Sequence, residues 1–289
     1  MNWGLPGELP VRPGPGRSPP SVTAKRRTWL VLAAFVLLAF TFSWGLYWAA
    51  PFKDGQLGGG MRMLASFGPS LAAVGVVASQ SGLAAVRRLV APLARWRLSW
   101  GWYVGSLVGP PLVMGAGVGV YLIAGGSLGS TENDPGLWWA IPVIFGVVLL
   151  IGGPLGEELG WRGFALPRLQ QVMGPVSATL LVAVVWAVWH LPLLTDPGSI
   201  QHEVPWLLFL GQIVVMSVFY TWLVNRTESL VPALLLHTSF NTSVGLLPVL
   251  PSTTAPVGPA VISLALGAIA AGILLVRTRG NLGLSAAAR

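Results

Sequence analysis

Long apolar stretches separated by short polar ones run along most of the chain. Each is long enough to cross the hydrocarbon core of a bilayer, which takes about 17–25 residues. There are eight such windows: 29–50, 61–79, 100–124, 137–155, 176–194, 206–224, 230–248 and 257–276. The pattern predicts an all-α, polytopic integral membrane protein with about eight transmembrane helices in one bundle.

The composition supports a membrane environment. Of the 289 residues, 54% are hydrophobic and only 9% are charged, whereas soluble domains are about a quarter charged. Fourteen tryptophans suit the interfacial belts of a membrane protein. The chain has no cysteine, which excludes disulfides and thiolate chemistry. The net charge of +8 lies in loops, where it indicates topology and no nucleic-acid partner.

The positions of the basic residues predict the orientation of the helices. With the N-terminus inside and eight spans, 15 of the 17 Lys and Arg residues fall in cytoplasmic segments, and only Lys53 and Arg62 fall outside. The outer segments carry acidic residues such as Asp196 and Glu203. This distribution follows the positive-inside rule. We therefore expect a multi-pass cell-membrane protein with both termini in the cytoplasm.

Four segments follow from the same pattern. Residues 1–28 include a tail rich in Pro, Gly and Arg, which predicts disorder. Residues 29–136 carry no chemical motif and are interpreted as scaffold helices. Residues 137–250 contain the ionisable residues described next. Residues 251–289 hold the last transmembrane helix and a cytoplasmic tail.

Ionisable residues in or beside the apolar spans are few. They are Glu157, Glu158, Arg162, His190 and His237. A charge at the centre of a membrane helix costs about 2.5–3.5 kcal/mol on insertion scales, so such a residue indicates a functional site.

The stretch GEELGWRGF places two carboxylates side by side. Neighbouring residues of a helix point about 100° apart, so Glu157 and Glu158 cannot face the same site. Glu158 lies four residues before Arg162, the spacing and order that favour an ion pair. Glu157 is then left unpaired in apolar surroundings, which suits a general base. The alternative is a cluster of charges just outside the membrane.

His190 can lie at the same depth as Glu157. If the chain turns at residues 173–175, Glu157 lies seventeen residues before Gly174 and His190 sixteen residues after it. An antiparallel hairpin would bring the two side chains level. The alternative is a structural histidine at a helix end.

His237 and Asn241 are four residues apart and so share one face of a helix. Hydroxyl residues flank them, and the alternative is a polar contact between helices. Together with Glu157 and His190 they supply a carboxylate, two imidazoles and an amide. Glu157, His190 and His237 could hold zinc with an open fourth position. Without a metal, Glu157 could activate water while a histidine and Asn241 stabilise the oxyanion.

Three motifs in this order resemble the CAAX prenyl protease and bacteriocin-processing (CPBP, or Abi) family of intramembrane proteases. They are EExxxR at 157–162, WxxxH at 186–190 and HxxxN at 237–241. Trp186 stands where the family usually has Phe. The resemblance covers about residues 137–250.

The resemblance implies an eight-helix bundle with a cavity that opens toward the cytoplasm. It implies an endopeptidase in which Glu157 activates water, with Glu158 and Arg162 as motif partners. His190 and His237 would be catalytic residues or metal ligands, and Asn241 would stabilise the oxyanion. Members of the family have been described both as zinc enzymes and as metal-free glutamate proteases, so zinc and no cofactor both remain open.

Three functions are therefore weighed. The first is an intramembrane endopeptidase acting on a membrane-embedded or lipidated peptide or protein. The Arg-rich, Lys-poor usage is typical of a bacterial source, in which the substrate would be other than a prenylated CAAX protein. The second is a non-catalytic immunity or binding protein of the same fold. The third is a proton-coupled transporter that uses the buried Glu and His residues as a relay.

Overall fold

The computed structural model describes residues 21–49, 56–128, 139–252 and 255–284. Within these ranges the secondary structure is helical throughout. A 3₁₀ turn covers Ala91–Ala94 and a π-helical turn covers Leu159–Ala165. The α-helices are α1 Val22–Ala49, α2 Gln56–Ala65, α3 Gly68–Val90, α4 Trp100–Ile123, α5 Ile141–Ile151, α6 Pro154–Glu158, α7 Leu166–Leu169, α8 Pro175–Trp189, α9 Leu191–Thr195, α10 Trp206–Thr227, α11 Val231–Leu246 and α12 Gly258–Arg277.

The class predicted from the sequence, an all-α polytopic membrane protein, is confirmed. In the described ranges, six helical segments are long and apolar enough to span a bilayer: Val22–Ala49, Gly68–Ala94, Trp100–Ile123, Ile141–Leu169, Trp206–Thr227 and Gly258–Arg277. The count of eight stays a prediction. Helix α8 is apolar but has 15 residues, and α11 has 16 residues and carries polar side chains.

Two of the predicted apolar windows are interrupted in the structure. The window 61–79 contains a turn, because α2 ends at Ala65 and α3 begins at Gly68. The window 137–155 contains the end of α5 at Ile151 and the start of α6 at Pro154. Proline follows each break because the first turn of a helix needs no N–H there. Apolar composition marks the span but not these breaks.

Helix α1 begins within the segment predicted to be an N-terminal tail. Residues 1–20 lie outside the described part of the chain, but residues 22–28 form the first two turns of α1. These turns include Lys25, Arg26 and Arg27. Basic residues at the end of a membrane helix remain solvated beyond the hydrocarbon, which is compatible with a helix that starts before the apolar run.

Many apolar side chains point outward from the bundle. Leu37, Leu112 and Val143 are each about two thirds exposed, at 67%, 66% and 65%. In water such a surface would favour aggregation, whereas lipid is as apolar as these side chains. The interior instead contains an aromatic cluster, in which Phe35 of α1 packs against Trp161 and Phe164 at ring distances of 5.4 and 4.8 Å.

Two glycines allow the motif segment, which consists of α6 and the π-helical turn (residues 154–165), to approach the start of α3. A Cβ added to Gly156 would lie 2.5 Å from the Ser66 carbonyl oxygen, and one added to Gly160 would lie 2.5 Å from the Pro69 carbonyl carbon. Both neighbours are backbone atoms and cannot rotate away. Helices in membranes commonly use small residues for such close contacts. The contact fixes α6 and the π-helical turn against α3.

We expect Gly160→Ala to destabilise the protein by about 1–3 kcal/mol, the usual cost of overpacking. Thermal unfolding in detergent, followed by tryptophan fluorescence, measures the effect. Gly75→Ala in α3 is the matched control, because a Cβ there meets nothing within 4 Å. Equal melting temperatures for the two variants would contradict the close contact.

Candidate active site

The motif segment is positioned by a break and a change of helical pitch. Gly153 has φ = 109°, a conformation that favours glycine, and it turns the chain from α5 into α6. Beyond Glu158 the chain winds as a π-helix, in which the Leu166 N–H bonds to the Trp161 carbonyl five residues earlier. Single π-helical turns occur frequently at functional sites. Glu157 and Glu158 form the last turn of α6, directly before this segment.

Glu157 is buried, with 4% of its surface exposed. Its Oε2 accepts a hydrogen bond of 2.6 Å from the indole Nε1–H of Trp186 in α8. From the sequence, this carboxylate was expected to be left without the arginine as a partner, and a neutral hydrogen bond from the indole takes that place. The Trp186 donor was not foreseen, because Trp was treated as a simple replacement for Phe. The indole N–H is the group that Trp has and Phe lacks, so the Trp at position 186 was the feature of the sequence that could have predicted a hydrogen-bond donor here.

Glu158 makes a different set of contacts from Glu157. Its Oε1 lies 3.0 Å from Arg162 Nη1 and 2.9 Å from His237 Nδ1. Glu158 is fully buried and Arg162 is 1% exposed. Glu158 therefore connects the motif segment to α11, while Glu157 contacts α8.

Arg162 is held by groups from three helical segments. Its Nη2 donates to Ser217 Oγ of α10 at 3.2 Å. The guanidinium carbon lies 4.1 Å from the ring centre of Trp186 and 4.2 Å from that of Tyr220. Both are cation–π distances. Ser217 and Tyr220 were not identified from the sequence, because residues 206–224 there read as an unremarkable apolar span.

The two histidines lie beside Trp186: His190 caps the C-terminal end of α8, and His237 lies in α11. The Trp186 ring centre is 5.5 Å from the ring centres of both His190 and His237. His190 Nδ1 is 2.8 Å from the Trp186 carbonyl oxygen. A carbonyl oxygen and the carboxylate of Glu158 only accept hydrogen bonds, so each Nδ1 must carry the proton. In the neutral form of either imidazole, the Nε2 atom keeps a lone pair for another partner.

One cavity of about 570 Å³ joins these groups. Glu157, Trp186, His190, His237 and Asn241 all line it. The Asn241 Nδ2 lies 3.5 Å from the Gly152 carbonyl oxygen, a long contact at the wall of the cavity. Glu158 and Arg162 do not line the cavity and lie behind it. The structure thus brings Glu157, both histidines and Asn241 to one space, and separates the two carboxylates.

The N-terminal half also contributes to this cavity, which the sequence did not reveal. Tyr47 of α1 donates to Asp196 Oδ2 at 2.6 Å, and Arg62 of α2 forms an ion pair with the same oxygen at 3.0 Å. Trp44 Nε1 donates to the Trp189 carbonyl oxygen at 3.0 Å. Tyr47, Arg62 and Trp44 line the cavity. These residues lie far apart along the sequence and show no common spacing.

Glu157, His190 and His237 are the candidate ligands for a zinc ion. Among the residues that the structure describes, no three His, Asp or Glu side chains converge as a metal site requires. Both Nδ1 atoms are engaged, as in zinc-bound histidines, and each Nε2 is available, so only the lack of convergence among the donors argues against the ion. The arrangement therefore does not fit zinc as it stands, and no step of the proposed reaction is assigned to a metal.

Fold and site together define a class: a polytopic helical membrane protein with a buried carboxylate, arginine and histidine cluster beside a cavity. Residues 138–243 match the family model of Rce1-like, type II CAAX prenyl endopeptidases. A CAAX prenyl protease 2 of Methanococcus maripaludis is 31% identical over 139 residues, which cover 45% of this chain and 50% of the relative. The chain thus spans about half the length of that curated relative. Through this segment, the chain is similar to the CAAX prenyl protease (CPBP) family.

We expect Arg162→Ala to destabilise the protein by about 3–5 kcal/mol, since it leaves the buried Glu158 without its cation. Arg95→Ala is the matched control, because the Arg95–Glu228 ion pair has the same 3.0 Å length but is about half exposed on both sides. Exposed pairs contribute about 0–1 kcal/mol. Unfolding in detergent measures both variants, and comparable losses would show that the buried pair has no special role.

Proposed function

We propose that this protein is an intramembrane endopeptidase that hydrolyses a peptide bond in a membrane-anchored or lipidated protein or peptide. The observation that supports it most directly is Glu157, a buried carboxylate that lines a cavity together with two imidazoles and an amide. The family and the relative named as a prenyl protease point to the same activity.

Each of these residues has its own role in the proposed reaction. Glu157 accepts a proton from a water molecule, whose oxygen attacks the carbonyl carbon of the scissile bond. The Nε2 atom of one histidine, His190 or His237, accepts the second hydrogen bond of this water and orients it. The Asn241 amide donates to the oxyanion that forms. Glu157 then returns its proton to the leaving amine, and the C–N bond breaks.

Glu158 and Arg162 act indirectly in this proposal. Glu158 accepts a hydrogen bond from His237 Nδ1 and so orients the imidazole, and Arg162 pairs with the same oxygen of Glu158. Both are therefore positioning residues. Replacing either should alter the geometry of the cavity wall without removing the water-activating group.

A second cavity supports a substrate with a hydrocarbon chain. It measures about 310 Å³ and lies among α4, α10, α11 and α12. Gln212, Met216 and Phe240 line both cavities. Its lining is mostly apolar, so an acyl or prenyl chain next to the scissile bond would be well solvated there.

We also propose that both termini face the cytoplasm. The described ends of α1, α3, α10 and α12 that carry Arg or Lys are Lys25–Arg27, Arg87–Arg88, Arg226 and Arg277. The positive-inside rule assigns such ends to the cytoplasmic side.

The first test uses a fluorogenic peptide with a prenyl chain, reconstituted with the purified protein in liposomes. We expect Glu157→Gln to lower cleavage by at least about 100-fold, the lower range for a lost general base. Glu228→Gln, an exposed carboxylate in the 228–230 turn, should cleave normally. Cleavage unaffected by Glu157→Gln would overturn the proposal and favour a binding or transport role.

The same cleavage assay, repeated with a chelator, shows whether the reaction requires a bound metal ion. Full activity in its presence supports a reaction that needs only the residues described above. Activity that is lost with chelator and restored by zinc would mean that the donors rearrange around a bound ion.

We expect Trp186→Phe to lower kcat by about 10- to 100-fold with little change in KM. The indole hydrogen bond to a carboxylate is worth about 1.5–3 kcal/mol, and Phe keeps the ring contacts. Trp161→Phe is the matched control, since the buried Trp161 Nε1 has no hydrogen-bond partner. Similar kinetics for the two variants would show that Trp186 acts only by packing.

A further inference from the structure

We propose that the second cavity, the one of about 310 Å³ among α4, α10, α11 and α12, binds a fatty acyl chain and holds the carbonyl group of that chain. Ser106 of α4 is the residue that donates a hydrogen bond to this carbonyl. The inference rests on the proposed function, because it assigns the acyl chain to the peptide substrate. It names the kind of hydrocarbon chain that this cavity selects.

The second cavity exists because one face of α4 lacks side chains. Gly101, Gly105 and Gly109 follow each other at intervals of four residues, which places them on one face of the helix. All three line the cavity, and a Cβ added to any of them would meet nothing within 4 Å. At Gly160, by contrast, the missing side chain allows two backbones to touch. The three glycines of α4 therefore leave space for another molecule.

Ser106 places an unsatisfied hydroxyl group in the wall of this cavity. The residue is 1% exposed, and among the described residues its Oγ has no hydrogen-bond partner. Ser263 of α12 lines the same cavity, but its Oγ already donates to the Pro259 carbonyl oxygen at 2.7 Å. A buried hydroxyl group without a partner destabilises a protein. An acceptor on a bound molecule explains why a serine lies at position 106.

The rest of the lining restricts what that molecule can be. Met114, Val215 and Leu223 are typical of a wall that is mostly apolar, so the ligand must be largely hydrocarbon. The volume lies at the lower end of the range for small-molecule sites, about 300–1,000 Å³. An ester, thioester or amide offers a carbonyl oxygen to the hydroxyl group, whereas a thioether offers only sulfur, a weak acceptor. The cavity therefore suits an acyl chain better than a thioether-linked chain.

Ser106 lies at the depth of the proposed catalytic residues. The carbonyl oxygen of its neighbour Leu107 accepts a hydrogen bond of 2.6 Å from Ser239 Oγ. Ser239 belongs to α11 and lies between His237 and Asn241. An acyl carbonyl bound at Ser106 thus keeps the attached peptide beside the larger cavity, with which the second cavity shares part of its wall. This continuity is the reason to assign the chain to the substrate and not to a bilayer lipid.

The first experiment compares two fluorogenic peptides that differ in one group. One carries S-hexadecanoyl cysteine, a thioester, and the other carries S-hexadecyl cysteine, a thioether without a carbonyl. With the purified protein in liposomes, we expect Ser106→Ala to lower kcat/KM about 5- to 10-fold for the acyl peptide, as the loss of one hydrogen bond predicts. The alkyl peptide should be cleaved as by the unmodified protein. Ser263→Ala is the matched control and should change neither rate, because its hydroxyl group is satisfied within α12.

An equal loss for both peptides would show that Ser106 only supports the fold, and would overturn the inference. No loss for either peptide would overturn it as well. If both peptides are cleaved alike in a reaction that depends on Glu157, the acyl site fails and the peptidase stands.

The second experiment measures binding without cleavage. The acyl peptide carries a photoreactive diazirine in its chain, and mass spectrometry locates the label after irradiation in liposomes. We expect label on α4 and α10, and its loss in Gly109→Leu, which fills the cavity. Gly119→Leu is the control, since it lies on the same helix outside the cavity and a Cβ there also meets nothing within 4 Å.

A photoreactive phosphatidylcholine distinguishes the substrate from a bilayer lipid. We expect an excess of the acyl peptide to displace any label that the phospholipid leaves on these two helices. Phospholipid label that the peptide does not displace would assign the cavity to a bilayer lipid and overturn the inference. Label from the acyl peptide on a protein that cleaves nothing would leave the acyl site standing while the peptidase fails.

Discussion

The buried guanidinium of Arg162 is the group around which the rest of the site is organised. It bonds to Glu158 and Ser217 and lies against the faces of Trp186 and Tyr220. These partners come from α6, α8 and α10, and Glu158 adds α11 through His237. Removing a charge from water is expensive, and only several good contacts can compensate for it. The demand for those contacts fixes four helical segments in one arrangement.

This arrangement leaves Glu157 as the carboxylate that faces the cavity. Because Glu158 neutralises Arg162, Glu157 receives no cation and is held instead by the Trp186 indole. A neutral donor orients a carboxylate without fully compensating its charge, so the group can still accept a proton. The two neighbouring glutamates thus differ in environment rather than in chemistry, as pairs of carboxylates in hydrolytic sites often do.

The surrounding lipid explains why the site lies where it does. Apolar side chains cover the outside of the bundle, and charges lie either at its ends or in this one cluster. A cavity that runs from Glu157 to Tyr47 and Arg62 gives water a path to a site enclosed by apolar helices. Hydrolysis within a membrane requires such a path, since the hydrocarbon supplies no water.

The sequence by itself determined the all-α membrane class, the sites of most helices, and the segments that hold the buried ionisable residues. Apolar length and the spacing of Glu158 and Arg162 are local properties, so they can be predicted without knowing the fold. Only the tertiary structure decided that Trp186 binds Glu157, that Tyr220 covers Arg162, and that Tyr47 and Arg62 reach the cavity. These contacts join residues that are between 29 and about 150 positions apart. No local pattern encodes them, because they depend on how whole helices pack around a charge that must not remain unpaired.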